Sequence, residues 1–195
     1  MPLWGINDES KPKWLTTNEK KEVFANASGW VVEGGSTMTG NGNVNAQAEV
    51  LVAIGNLSTR MSEGTITEVE WVSAGFDRTP GGTLTVKVRY NESVTVTGVP
   101  TLVVTNGNQG SGSGRTIPAL EYDAALSDAT ELVFKKLIGA NNAATALSDE
   151  LTIGAQNILK PGGATIKDTG TSIDSGVAIS ASIGAAAGTI IVTES

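Results

Sequence analysis

The segment Leu84-Thr-Val-Lys-Val-Arg-Tyr90 alternates apolar and polar residues without a break. Leu84, Val86, Val88 and Tyr90 fall on one side of an extended chain, and Thr85, Lys87 and Arg89 on the other. A period of two demands a β-strand with one face on a core and one in water, because a helix would scatter those four apolar side chains around its axis. The pattern recurs along the chain. It is carried by Thr65–Ser73 and by Val94 and Val96 after a turn at Asn91-Glu92, and Thr101–Thr105 follows Pro100 as another strand. Ala119–Asp123, Thr130–Ile138, Glu150–Ile153, Ala164–Lys167, Val177–Ser180 and Thr189–Val192 read as further short strands. Short strands separated by Gly, Asn or Pro predict a mainly β fold, an antiparallel β-sandwich over 64–195. No taper pattern or hairpin series favours a barrel. The Ala-rich stretch Val177–Val192 reads as a strand with a bend.

Residues 1–63 read differently. The first 30 hold Trp4, Trp14, Phe24 and Trp30, four of the nine aromatics in the chain, and their charges cancel. Thr16 with Glu19 forms a capping-box signature, so a short helix is expected near 17–27, with Gly29 as its stop. Pro12 keeps Lys11 extended. Residues 33–48 are mostly Gly, Asn, Ser and Thr, a linker too polar to order itself by burial. Glu49–Ile54 reads as a buried strand. The expectation is an extended N-terminal arm, a Gly/Asn-rich linker and one strand near 49–54. Trp side chains are favoured anchors in interfaces, so Trp4, Trp14, Phe24 and Trp30 are candidate partner-binding residues. Such an arm either anchors on another chain or folds back on its own body; the linker favours reach.

The chain of 195 residues has no His and no Cys. That excludes disulfides, Cys/His zinc sites and His-based triads. Acid–base chemistry would fall to carboxylates, Lys or Tyr. The net charge of −7 opposes binding to nucleic acid and to anionic membrane. The opening residues lack the basic and apolar regions of a secretory leader, and no run of 18 apolar residues is present. Asp168 and Asp174 are candidate calcium ligands, set against an Asx turn. Asn106–Gly114 reads as a flexible loop without the P-loop pattern. A carboxylate pair for sugar hydrolysis would call for more aromatic platforms than the chain offers beyond Trp30. Asn56-Leu-Ser58 and Asn91-Glu-Ser93 match the glycosylation pattern and carry no weight without a leader. The expectation is a protein with no catalytic, cofactor or metal residues and no small-molecule substrate.

Two stretches carry a resemblance. Leu84 to Gly107, with its phrase Val-Thr-Val-Thr-Gly-Val-Pro-Thr-Leu-Val-Val-Thr-Asn-Gly, together with Thr130–Phe134 and Gly162-Gly-Ala-Thr-Ile-Lys-Asp168, resembles the Ig-like modules of bacterial surface and phage structural proteins. The likeness spans about half the chain and implies an Ig-like sandwich. The start, Met1-Pro-Leu-Trp-Gly-Ile-Asn-Asp-Glu-Ser-Lys-Pro-Lys-Trp-Leu15, is similar to the N-termini of virion structural proteins of tailed marine phages, cyanophages especially. That implies a non-enzymatic protein present in many copies, with a capsid decoration (cement) protein on the outer head surface as the best-fitting role. The major capsid protein or other virion proteins would be its partners, and a homo-oligomer is expected. The alternatives are a receptor- or glycan-binding Ig-like module using loop aromatics such as Phe76 or Tyr122, or a tail, neck or collar component.

Overall fold

The computed structural model describes residues 8–26, 28–54, 63–107 and 114–195. Trp4, Asn56–Ser58 and 108–113 of the Gly/Ser loop lie outside the described residues. The fold is mainly β, with several antiparallel sheets.

Residues 8–54 form a small unit of three antiparallel strands, β1 (Val23–Asn26), β2 (Gly29–Val32) and β3 (Glu49–Ala53), in that order. The helix expected near 17–27 is a single 3-10 turn, Glu19–Glu22. Its capping box does form: the Thr16 backbone N–H donates to Glu19 Oε2 at 2.7 Å, and the Glu19 N–H to Thr16 Oγ1 at 3.3 Å. The helix stops there because Val23, Phe24 and Ala25 are all buried. A strand presents side chains to two faces, and both are covered here; a helix would have exposed part of that row. Val23 and Ala25 join Leu15, Trp30 and Val32 in a separate small core, while Phe24 points the other way. Gly29 ends no helix. It lies where β3 crosses so closely that a Cβ would stand 2.0 Å from the Val52 carbonyl oxygen.

The Gly/Asn stretch is a folded connection rather than a reaching linker. Side chains two residues apart bind the backbone in series: Ser36 Oγ accepts from Met38, Thr39 Oγ1 from Asn41, Asn41 Oδ1 from Asn43 and Asn43 Oδ1 from Asn45. Local side-chain turns supply the order that burial cannot. β3, read as buried, is half-exposed, with a register shift opposite Trp30/Val31.

The body, from residue 63, contains β4 (Ile66–Trp71), β5 (Phe76–Asp77), β6 (Gly82–Tyr90), β7 (Val94–Thr97), β8 (Thr101–Leu102), β9 (Thr105–Asn106), β10 (Leu120–Tyr122), β11 (Glu131–Ile138), β12 (Glu150–Thr152), β13 (Gln156–Asn157), β14 (Thr165–Asp168), β15 (Ala178–Ile179), α1 (Ala181–Ala186) and β16 (Thr189–Thr193). One sheet runs β4-β6-β11-β10-β8 and a second β5-β16-β12-β9; β13 pairs with β15, and β14 with β7. The β5–β16 pair is parallel, so the body is not purely antiparallel. Both larger sheets contribute to one core, which includes Leu84, Val86, Val88, Tyr90, Leu132, Phe134, Leu151 and Val192. The alternation in β6 thus places its apolar face as expected.

Two expected strands are interrupted. Thr101–Thr105 splits as the chain passes from one sheet to the other. At the gap the Gln156 side chain stands in for a strand neighbour, accepting from the Val103 N–H at 3.1 Å and donating to its carbonyl at 2.7 Å. The Ala-rich stretch holds α1 between β15 and β16. Ser180 caps it by accepting from the Ile183 N–H, and Ile183 and Gly184 turn inward. Alanine favours helix over strand, and Gly184 allows a backbone approach that a Cβ would block, 2.2 Å from the Gly154 carbonyl oxygen.

Candidate functional site

The two units meet on the outer face of the β4-β6-β11 sheet. The strand register sets Glu68, Arg89 and Glu131 in one row, and Glu70, Lys87 and Val133 in the next. This is the face assigned to water from the alternation, yet Arg89 is only 1% exposed. The reason is that the N-terminal unit covers it. Arg89 Nε donates to Glu131 Oε1 at 2.8 Å, Nη1 to Glu68 Oε2 at 2.9 Å and Nη2 to Glu33 Oε2 at 2.8 Å; Glu70 Oε1 lies 3.0 Å away. The Phe24 ring closes the stack, its centroid 4.5 Å from the guanidinium carbon. Lys87 Nζ adds ion pairs to Glu131 at 3.1 Å and Glu70 at 3.5 Å.

A guanidinium suits this place because its rigid fork serves several carboxylates while its plane accepts a ring. Burial works against its charge, but Glu68, Glu70 and Glu131 outweigh that and hold the proton more tightly than usual. The carboxylates divide. Burial pushes Glu68 up, beyond what Arg89 and Lys11 restore. Burial also presses on Glu131, but Arg89 and Lys87 win and hold it below the usual carboxylate range. The cluster joins Glu33 and Phe24 of the N-terminal unit to Glu68, Glu70 and Glu131 of the body through one guanidinium, the geometry of a joint.

Of the four aromatics singled out, the structure brings two into the chain's own packing. Phe24 and Trp30 are 2% and 4% exposed, against Arg89 and in the small N-terminal core respectively. Both side chains are therefore covered by the chain's own packing in this structure. Trp14 is different, 69% exposed. It stands between Pro12 and Leu15, both buried, in a turn closed by the Leu15 N–H on the Pro12 carbonyl at 3.2 Å. An outward indole is therefore held on a fixed turn. Of the loop aromatics, Phe76 is buried and Tyr122 packs edge-on against Phe134.

Asp168 and Asp174 do not converge. Asp168 is buried and accepts from the Thr171 N–H at 2.5 Å and its hydroxyl at 2.7 Å, closing its own local turn three residues on, while Asp174 is exposed. No group of three or more His, Cys, Asp or Glu that could hold a metal ion occurs among the described residues. Near Asp168, Glu92 is buried with Oε1 unpartnered; burial, then the Asp168 charge, push its carboxyl up. Asp149, missed in the sequence, is fully buried. It receives Arg115 through Nε at 3.0 Å and Nη2 at 2.6 Å, Asn106 Nδ2 at 2.7 Å and the Ala146 N–H at 2.8 Å. Burial opposes its charge, and the hydrogen bonds from Arg115, Asn106 and Ala146 more than reverse that, holding it low. Asp149 thus ties Asn106 to Arg115, the two ends of the Gly/Ser loop.

Two concavities flank the joint. One of about 330 Å³ lies in the seam, between Asn26, Glu33 and Gln47 on one side and Lys87, Thr130 and Glu131 on the other. The other, about 510 Å³, is an open shelf over Thr83, Thr85, Lys135 and Leu137. On that shelf Lys136 pairs with Glu121 at 2.6 Å and Lys135 with Asp123. No described helix is long and apolar enough to cross a membrane. No family model, no curated protein and no solved structure matches the chain.

Proposed function

We propose that the chain is a non-enzymatic structural protein of a virus particle. The role it fits best is a decoration protein on the outer surface of a tailed-phage head, with an Ig-like β-sandwich body displayed by an N-terminal unit that binds the shell. The observation that carries this reading is Trp14. A large indole on a turn fixed by two buried neighbours loses little conformational freedom on binding, which is what an anchor needs. The balance of charge supports the same reading: residues 1–30 carry no net charge, and most of the excess negative charge lies in the body, which would keep particles apart. Weak anchors repeated over many symmetric copies accumulate into firm attachment. The major capsid protein would be the partner surface.

The test is co-sedimentation of the intact chain and of Trp14→Ala with empty shells. The expected outcome is a loss of binding on the order of thirty-fold, the scale of a buried aromatic hot spot, with an unchanged melting temperature. Equal binding of both proteins would overturn the anchor. Electron microscopy of labelled particles separates the head reading from a tail or neck position.

A further inference from the structure

We infer that residues 8–54 are a cap that separates from the body as a folded unit, held shut by a latch centred on Arg89. The inference does not depend on which particle or surface the protein serves.

The cap has two faces. Val23, Ala25, Trp30 and Val32 line its own core. Phe24 and Val31 are register partners on the opposite face, fully or almost fully buried, and belong to neither core. That second face is the seam. Backbone hydrogen bonds among the described residues close within one unit or the other: Glu33 to Glu22 and Ile54 to Ser28 in the cap, Asn91 to Thr65 and Gly176 to Gly64 in the body. Among the described residues, side-chain chemistry crosses the seam, most of it gathered around Arg89. Arg89 takes Glu33 at 2.8 Å and lies on the Phe24 ring, while the Lys11 charge faces Glu68. Beside these contacts the 330 Å³ polar cleft leaves the seam incompletely packed.

Both states of such a joint are internally satisfied. When the cap leaves, Arg89 keeps Glu68, Glu70 and Glu131, all from the body. The cap keeps its three strands and its core. Neither unit has to break a ladder, so the seam opens at lower free energy than either unit unfolds. Shut, the latch hides the apolar seam face; open, it presents Phe24 and Val31 together with the Arg89 row.

The chain has no cysteine, so single thiols report opening without background. Three full-length variants serve: Val31→Cys in the seam, Ala25→Cys in the cap core and Val86→Cys in the body core. The Val31→Cys thiol should react with a disulfide reagent at least about ten-fold faster than the other two. Adding Glu33→Gln, which removes the cap's own carboxylate from the latch, should speed the seam thiol by a further ten-fold or so. It should leave the body thiol unchanged. Equal rates at Val31→Cys and Val86→Cys would overturn the inference, since the cap would then leave only as the body unfolds. Rates at Ala25→Cys matching Val31→Cys would overturn it too, because the cap would be melting instead of moving. If Val31→Cys fails to fold, Phe24→Cys probes the same face against the same two controls.

Discussion

Strand β6 separates two buried regions that share a backbone and almost nothing else. Below it, Leu84, Val86, Val88 and Tyr90 enter a core of Leu, Ile, Val and Phe side chains. Above it, Lys87 and Arg89 meet four carboxylates and a phenyl ring. The lower face gains from removing apolar area from water, an effect without direction and little altered by pH. The upper face loses most of its Coulombic gain to desolvation and returns geometry instead: one orientation of the cap satisfies the fork of Arg89. Burial alone thus does not say how a region is held. The apolar face fixes that the sheets associate, and the ionic face fixes where the N-terminal unit sits.

The contrast can be broken by substitution. Phe134→Ala should cost about 3–5 kcal/mol, seen in urea melts, and the loss should stay constant between neutral and mildly acidic pH. Arg89→Ala should cost about 3–4 kcal/mol at neutral pH because Glu68, Glu70 and Glu131 are left facing one another under the cap. That loss should shrink on acidification as the carboxylates take up protons. If the Arg89→Ala loss is as flat with pH as that of Phe134→Ala, the ionic account of the upper face is wrong.

Asp149→Asn sharpens the comparison at a second buried charge, and should cost about 2 kcal/mol through weakened hydrogen bonds from Arg115 and Asn106. The Asp149 carboxyl is held below its ordinary value. Its stabilisation is therefore complete above the usual carboxylate range and is lost as pH falls through the lowered pKa. The acid limb of a thermal-melt series should be steeper in the parent than in the variant. The smallest effect is expected at Glu92, whose carboxyl is raised by burial and by Asp168. Its contribution is complete below the unfolded pKa and is lost as pH rises through the folded one, so it weighs against folding at neutral pH. Glu92→Gln should leave neutral-pH stability within about 1 kcal/mol of the parent and remove the gain the parent shows on mild acidification.

The body was largely legible because its strands write themselves as alternation. Leu84–Tyr90 needed no partner to be read, since which side of an alternating strand faces inward is a local property. The seam was not legible. Arg89 and Thr85 look alike in that pattern, and only the pairing of β6 with β4 and β11 sets Arg89 among Glu68, Glu70 and Glu131. Register across the sheet is a long-range fact with no local trace. The same limit explains β1. The capping box at Thr16 and Glu19 is a true local signal, but the pairing of Val23 with Val32 and Phe24 with Val31 overrules its continuation. Among the candidate anchors, composition could find Trp14 and Trp30 but could not tell the outward indole from the inward one. That distinction came from the turn at Pro12 and from the small core around Leu15.

The position of β16 has a consequence for how the chain reaches this state. β16 is not an edge strand: it lies between β12 and β5, and Val192 pairs with Phe76 across more than half the sequence. Its neighbourhood also fixes Trp71, whose indole donates to the Gly188 carbonyl at 3.4 Å. The second sheet therefore lacks its middle until residues 189–193 are available. Closing such long loops precedes any reward from the contacts they permit, which places folding on the millisecond-to-second side of small proteins. During synthesis the body waits on a ribosome with β5 unjoined from the β12–β9 pair, while the cap, with its short-range hairpins, is free to assemble first.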